Sequence, residues 1–137
     1  MGTGFTPEQV AAILLRDGDL CAMSGHPENP DCWGKATTAN HRLNRGAGGS
    51  KLRNGTGNGC GICNQCNGAI ESVALLAALA RHLGVKLRQG DDPERSLIWS
   101  PFFRQWANIT DRALYLTGET DRNVRPSFEE MTADRRD

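Results

Sequence analysis

At 137 residues the chain has room for one domain with a tail, and its core is modest, since aromatics are only 6% of the residues while 16 are glycine. Lys and Arg number 16 and so do Asp and Glu, so a formal net charge of zero names no partner. No apolar run reaches the length of a membrane span and the N-terminus carries no signal-peptide pattern, so a soluble, cytoplasmic protein without a membrane partner is expected.

The first predicted element is a helix. Thr6 is placed as its N-cap, Pro7 as N1 and Gln9 at N3, which completes a capping box, and Phe5 and Val10 stand at the positions of a hydrophobic staple. Val10, Ile13 and Leu14 give the apolar face, and Gly18 ends the helix. Residues 20–33, LCAMSGHPENPDCW, combine prolines, glycine and turn-forming polar residues and predict a loop or knuckle. Residues 36–41 predict a first strand, 42–57 a long glycine-rich loop, and 58–62 a return strand. Ile70, Val73, Leu76, Leu79, Ala80 and Leu83 recur at three and four, which predicts one helix from about residue 66 to 83, capped by Gly84. The centre of the chain therefore reads strand, loop, strand, helix, a ββα unit.

Beyond it, residues 85–87 form a short strand candidate and 89–95 a turn. Residues 97–99, 102–106 and 113–116 predict short strands or irregular apolar segments packed on the helix, with Trp99, Phe102, Trp106 and Tyr115 in the core. A single domain is expected over 1–118, with its core at 20–84, and residues 119–137 form a charged tail.

Chemistry-bearing side chains concentrate in residues 36–72. Lys35, Arg42, Arg45, Lys51 and Arg53 form a run without any acid, a local charge of +5 that suits a phosphate or, more plainly, a solvated loop. Of five cysteines, Cys60, Cys63 and Cys66 lie at C-x2-C-x2-C spacing. Cys63 and Cys66 open the predicted helix, where backbone amides stabilise thiolates. With Cys21 and Cys32 they make a four-thiolate tetrahedral set suited to structural Zn2+. Ser24 stands where a Cys-x2-Cys knuckle would carry its second thiol, so His26 competes with Cys32 for the fourth place. Cys60 is left over as a small inward hydrophobe, with an iron–sulfur cluster on Cys60, Cys63 and Cys66 as the alternative. His41 ends the first strand and suits a base that takes a proton from water. Amide oxygens of Asn40 and Asn67 suit a hard divalent cation, and Asn58 suits fixing the loop or the imidazole by hydrogen bonds. The bland alternative for the asparagines is turn formation.

Taken together, this stretch resembles the HNH endonuclease family, in the small form found in phage genomes. The resemblance is carried by ATTANHRLNRGAGGS, by Asn58 five residues before Cys63, by CNQCNGAIES and by GVKLRQGDDP, and it covers roughly residues 18–95. It implies an α+β fold: a ββα-metal, treble-clef-like core with an N-terminal helix and a short β-rich C-terminal extension. It implies that His41 is the general base, that Asn58 is the middle asparagine bracing the metal loop, and that Asn40 and Asn67 stand at the ligand positions of a divalent ion. The ion would be Mg2+ or Mn2+, with Ni2+ a third candidate. Cys63 and Cys66 match the helix-side zinc pair. Arg42, Arg45, Lys51 and Arg53 match the loop along the DNA backbone. The activity implied is nicking or cutting of double-stranded DNA, in a host cell's cytoplasm if phage-encoded, with a terminase or other packaging protein as a further expected partner.

Two positions depart from the family's pattern. Asn40 stands where an acid or a second histidine is usual, and Asn67 replaces the commoner histidine. With two neutral amides as ligands, no protein charge offsets the cation, and DNA phosphates would have to supply it. The rival expectation is therefore an HNH-derived module, weakened or inactive in catalysis, that binds DNA or a protein and is stabilised by zinc.

Overall fold

The computed structural model describes residues 4–44 and 55–121. The fold is mixed α+β, three helices and two small antiparallel sheets. Helix α1 spans Pro7–Arg16, and strands β1 (Thr38–His41) and β2 (Gly59–Ile62) pair as a hairpin. Helices α2 (Asn64–Ser72) and α3 (Ala74–Leu83) follow, then strands β3 (Ile98–Ser100), β4 (Gln105–Ile109) and β5 (Leu114–Leu116) as a second sheet in sequence order.

The capping box of α1 forms as the sequence predicts: Gln9 N–H donates to Thr6 Oγ1 at 3.1 Å and Thr6 N–H to Gln9 Oε1 at 2.9 Å. At its far end Arg16 donates to the carbonyls of Thr56 (3.0 Å) and Gly59 (2.7 Å), while the Asp17 carboxylate accepts Gly61 N–H at 2.8 Å. These contacts lay α1 across the hairpin. Glycine at 59 permits the close approach, because a Cβ there would stand 2.5 Å from Ile13 Cδ1.

The loop of residues 20–35 closes on itself through a Leu20–Lys35 bridge and is stitched to the hairpin by Ala22 N–H to Gly61 O at 2.8 Å. Hairpin, loop, α2, α3 and second sheet share one core, which includes Met23, Ile62, Ile70, Leu79, Leu83 and Trp106. Trp99 meets Trp106 edge to face with centroids 5.5 Å apart.

Three expectations need correction. The single helix of residues 66–83 is two helices, broken at Val73, whose φ −112° and ψ 114° are extended. The break lets two faces reach one core: α2 buries Cys66 and Ile70, and α3 buries Leu79 and Leu83. Residues 85–87 are not a strand; Val85 and Lys86 N–H bond back to Ala80 O, and Leu87 N–H donates to Arg42 O. Phe102 and Tyr115 are exposed rather than core, Phe102 in the turn between β3 and β4 and Tyr115 on the last strand, while Trp99 and Trp106 are buried. No described helix is long and apolar enough to cross a membrane.

Candidate metal centre and active-site cleft

Two sites flank the start of α2. The first is a cysteine cluster. The sulfurs of Cys21, Cys32, Cys63 and Cys66 all lie within 4.8 Å of one another. Four thiolates at about 2.3 Å from a zinc ion stand about 3.8 Å apart, so small adjustments would close a tetrahedral shell. Each sulfur also accepts an N–H. Cys63 N–H donates to Cys21 Sγ (3.3 Å), Cys66 N–H to Cys63 Sγ (3.4 Å), Gly34 N–H to Cys32 Sγ (3.3 Å) and Asn29 Nδ2 to Cys66 Sγ (3.3 Å). Such donors orient ligands and temper their charge.

Without a cation the cluster holds protons unevenly. The hydrogen bond with Cys66, then burial, pushes the Cys21 thiol up, and burial pushes Cys32 up to about 11. Cys66 is pulled down to about 5, first by the hydrogen bond from Cys21 and then by those from Asn29, Cys63 and Cys32, against its burial. The donor set fits a metal ion such as zinc. The choice left open in the sequence falls to Cys32. His26 is buried but outside the four. Cys60 also stands apart: it packs as a small hydrophobe on β2, burial raises its thiol, and Asn40 Nδ2 lies 3.6 Å from its sulfur.

The second site is an open cleft of about 460 Å3 between the hairpin and α2. Asn40, His41 and Asn67 all line it, joined by Asn44, Glu71 and Lys86. The hairpin register sets Asn40 opposite Cys60 and His41 opposite Gly59. The His41 ring lies flat on Phe5, centroids 4.0 Å apart and planes 8° from parallel, so the N-terminal segment fixes the imidazole plane. Asn40 is buried and its Nδ2 donates to Val85 O at 3.0 Å. The nitrogen is thereby spent on the core, and the oxygen is the atom left for a cation. Asn67 is exposed in the first turn of α2.

Asn58 bonds to the backbone of the chain leaving the first strand. It is buried, its Oδ1 accepts Leu43 N–H at 2.7 Å and its Nδ2 donates to Leu43 O at 2.9 Å. This two-way bracket fixes the chain just after His41.

Arg42 is placed otherwise than predicted. Its guanidinium is fully buried and donates to the carbonyls of Gly84 (2.8 Å), Pro93 (2.9 Å) and Ser96 (2.9 Å), with longer contacts to Leu97 (3.3 Å) and Gly57 (3.4 Å). A side chain so enclosed ties α3 and the second sheet to the hairpin and does not reach a DNA phosphate. Arg45, Lys51 and Arg53 lie outside the described residues.

Glu71 and Lys86 escaped the sequence reading. Glu71 follows Asn67 by four residues on α2, so the i, i+4 rule would have set it on the same face. A carboxylate therefore shares the cleft with the two amides. Lys86 carries no local signal. It arrives from beyond α3, and its Nζ lies 3.1 Å from His41 O, 3.1 Å from Asn44 Oδ1 and 3.5 Å from Glu71 Oε2. Compared with protein-family models, with curated proteins and with solved structures, the chain matches none of them.

Proposed function

We propose that this chain is a metal-dependent DNA endonuclease of the HNH kind, nicking or cutting phosphodiester bonds in the cleft between the hairpin and α2. The observation that carries this is the gathering of Asn40, His41, Asn67 and Glu71 around one open cleft, next to a four-cysteine cluster. On this reading the hairpin and α2 form a ββα-metal core, held by zinc on Cys21, Cys32, Cys63 and Cys66.

Oxygens of Asn40, Asn67 and Glu71 are a fitting donor set for Mg2+, Mn2+ or Ni2+, and the ion supplies positive charge against the phosphate. His41 takes the proton of the attacking water on a ring nitrogen. Phe5 keeps the imidazole from turning away, and Asn58 keeps the backbone beyond it in place.

The test is relaxation of supercoiled plasmid with Mg2+, Mn2+ or Ni2+ added in turn, using wild type and His41→Ala. Wild type is expected to nick, and the variant to lose about 100-fold or more, the usual contribution of a general base. Equal nicking by the variant removes His41 from the role, and inert wild type in every metal removes the nuclease reading.

Asn40 supports a second reading. Its nitrogen is committed to Val85 and its side chain is buried, as suits a structural residue in a domain that binds DNA without cutting it. That module shifts DNA in both variants and nicks it in neither.

A further inference from the structure

We propose that Lys86 is the phosphate anchor of the cleft: its ammonium takes a non-bridging oxygen of bound DNA in place of the Glu71 carboxylate. The choice of DNA rests on the nuclease reading above; the exchange itself rests on the geometry of the pair.

Lys86 is the one cation among the described residues that line the cleft. Its position is fixed from both sides, with its own N–H on Ala80 O at 3.1 Å and Leu87 N–H on Arg42 O at 2.8 Å. The ammonium carries three N–H donors. Two are used on neutral wall oxygens, His41 O and Asn44 Oδ1, both at 3.1 Å. Neither acceptor cancels the charge, and neither has to be given up when an anion arrives.

The Glu71 contact differs from these two. At 3.5 Å it is the longest of the three, beyond ordinary hydrogen-bond range. The Lys86 side chain is only 15% exposed whereas that of Glu71 is 61% exposed. The cation is thus set in the wall and the carboxylate is free to swing. An incoming phosphate displaces the mobile partner and keeps the fixed one. Because Lys86 rests on the His41 carbonyl, the phosphate it holds stands beside the residue assigned as base. The displaced Glu71 stays on the face of α2 that carries Asn67, where a divalent cation is to be held.

The experiment is equilibrium binding of a short fluorescent DNA duplex to the zinc-loaded protein with no Mg2+, Mn2+ or Ni2+ added, from about 50 to 200 mM NaCl, with wild type, Lys86→Gln and Lys86→Arg. Loss of one phosphate contact makes the slope of log K against log salt shallower by about 0.9 in Lys86→Gln, and Lys86→Arg keeps the wild-type slope. A Lys86→Gln protein with wild-type slope and affinity overturns the proposal, as does a wild type that binds no DNA. Glu71→Gln supplies an independent arm. It is expected to tighten binding in the absence of added divalent metal by up to about fivefold, the worth of an exposed ion pair, and to do so less in the Lys86→Gln background. An equal gain in both backgrounds overturns the exchange. If Lys86→Gln loses its zinc or its near-ultraviolet circular dichroism, Glu71→Gln decides alone, and no gain in affinity overturns the proposal. None of these readouts is cleavage. A salt slope that depends on Lys86 in a protein that never nicks plasmid leaves the anchor standing and the nuclease reading fallen; nicking with a slope indifferent to Lys86 does the reverse.

Discussion

Removing the buried guanidinium of Arg42 is the sharpest test of the fold. Arg42→Met keeps much of the aliphatic bulk and deletes every donor. Three of its contacts are short, 2.8 Å to Gly84 O and 2.9 Å to Pro93 O and Ser96 O. A hydrogen bond from a charged donor contributes about 1.5 kcal/mol or more, so these contacts together are worth about 4–5 kcal/mol. The longer contacts to Leu97 O and Gly57 O, at 3.3 and 3.4 Å, add little. Small domains hold about 5–15 kcal/mol in all, so the variant should be close to unfolded at growth temperature. Relief comes only if water enters to serve the carbonyls, and the enclosing residues leave no exposed path to the guanidinium.

Urea denaturation of zinc-loaded wild type, Arg42→Met and Arg42→Lys, followed by tryptophan fluorescence, reads this directly. Trp99 and Trp106 sit in the affected core. Lysine keeps the charge with fewer, differently aimed donors, so Arg42→Lys should fall between the other two. An Arg42→Met protein within about 1 kcal/mol of wild type would refute the assignment. So would a loss confined to DNA binding, the outcome that a surface phosphate contact produces.

The metal centre and the cleft give further expectations. Purified chain should carry one zinc by elemental analysis, with Cys32→Ser losing it and His26→Ala and Cys60→Ser keeping it; zinc retained in Cys32→Ser returns the fourth place to another residue. Zinc loading should weaken on acidification. Cys21 and Cys32, both with raised thiols, hold their protons at neutral pH, while Cys66, lowered to about 5, is already a thiolate. Zinc must displace at least two protons, so competition with a chelating dye between about pH 6 and 8 should show affinity rising about 100-fold or more per unit; a flat profile contradicts it. Gly59→Ala should cost about 1–3 kcal/mol in thermal melts by overpacking. Its Cβ would stand 2.5 Å from Ile13 Cδ1 and 2.9 Å from Phe5 Cζ. Because Phe5 is the ring stacked on His41, nicking should fall further than the fraction unfolded; parallel losses would detach Phe5 from the function of His41.

What the sequence disclosed was mostly local. The α1 cap could be read because its donors and acceptors lie three residues apart. The cysteine set could be read because thiols at a helix start have few other uses, although choosing Cys32 over His26 needed the loop's path through space. Asn58 could be expected to brace, but its partner, Leu43, is 15 residues away. The failures share a cause. Nothing in the residues around Arg42 distinguishes a solvated guanidinium from one whose acceptors come from residues 57 and 84–97. The break at Val73 hides inside an unbroken apolar period, since period reports faces and not axes. Phe102 and Tyr115 were assigned inside by size alone, yet a small sheet has one inner face and its turns have none.

On the nuclease reading, the charges in the cleft would couple the binding of a divalent cation to that of a phosphate. The described lining carries one carboxylate and one ammonium, 3.5 Å apart, and otherwise no Asp, Glu, Lys or Arg. On the nuclease reading a divalent cation arriving alone finds two amides and a carboxylate already engaged by Lys86. A phosphate arriving alone finds an ammonium already engaged by Glu71. Each ligand therefore pays to break the same ion pair, and when both bind that cost is met once. Their own attraction adds to the gain. The coupling is reciprocal by linkage, so DNA strengthens the cation's binding by the factor with which the cation strengthens DNA's. Asn40 and Asn67 fit this scheme. Neutral ligands leave the empty cleft without a surplus of negative charge that would repel the DNA backbone, and they leave the cation's charge for the phosphate to neutralise.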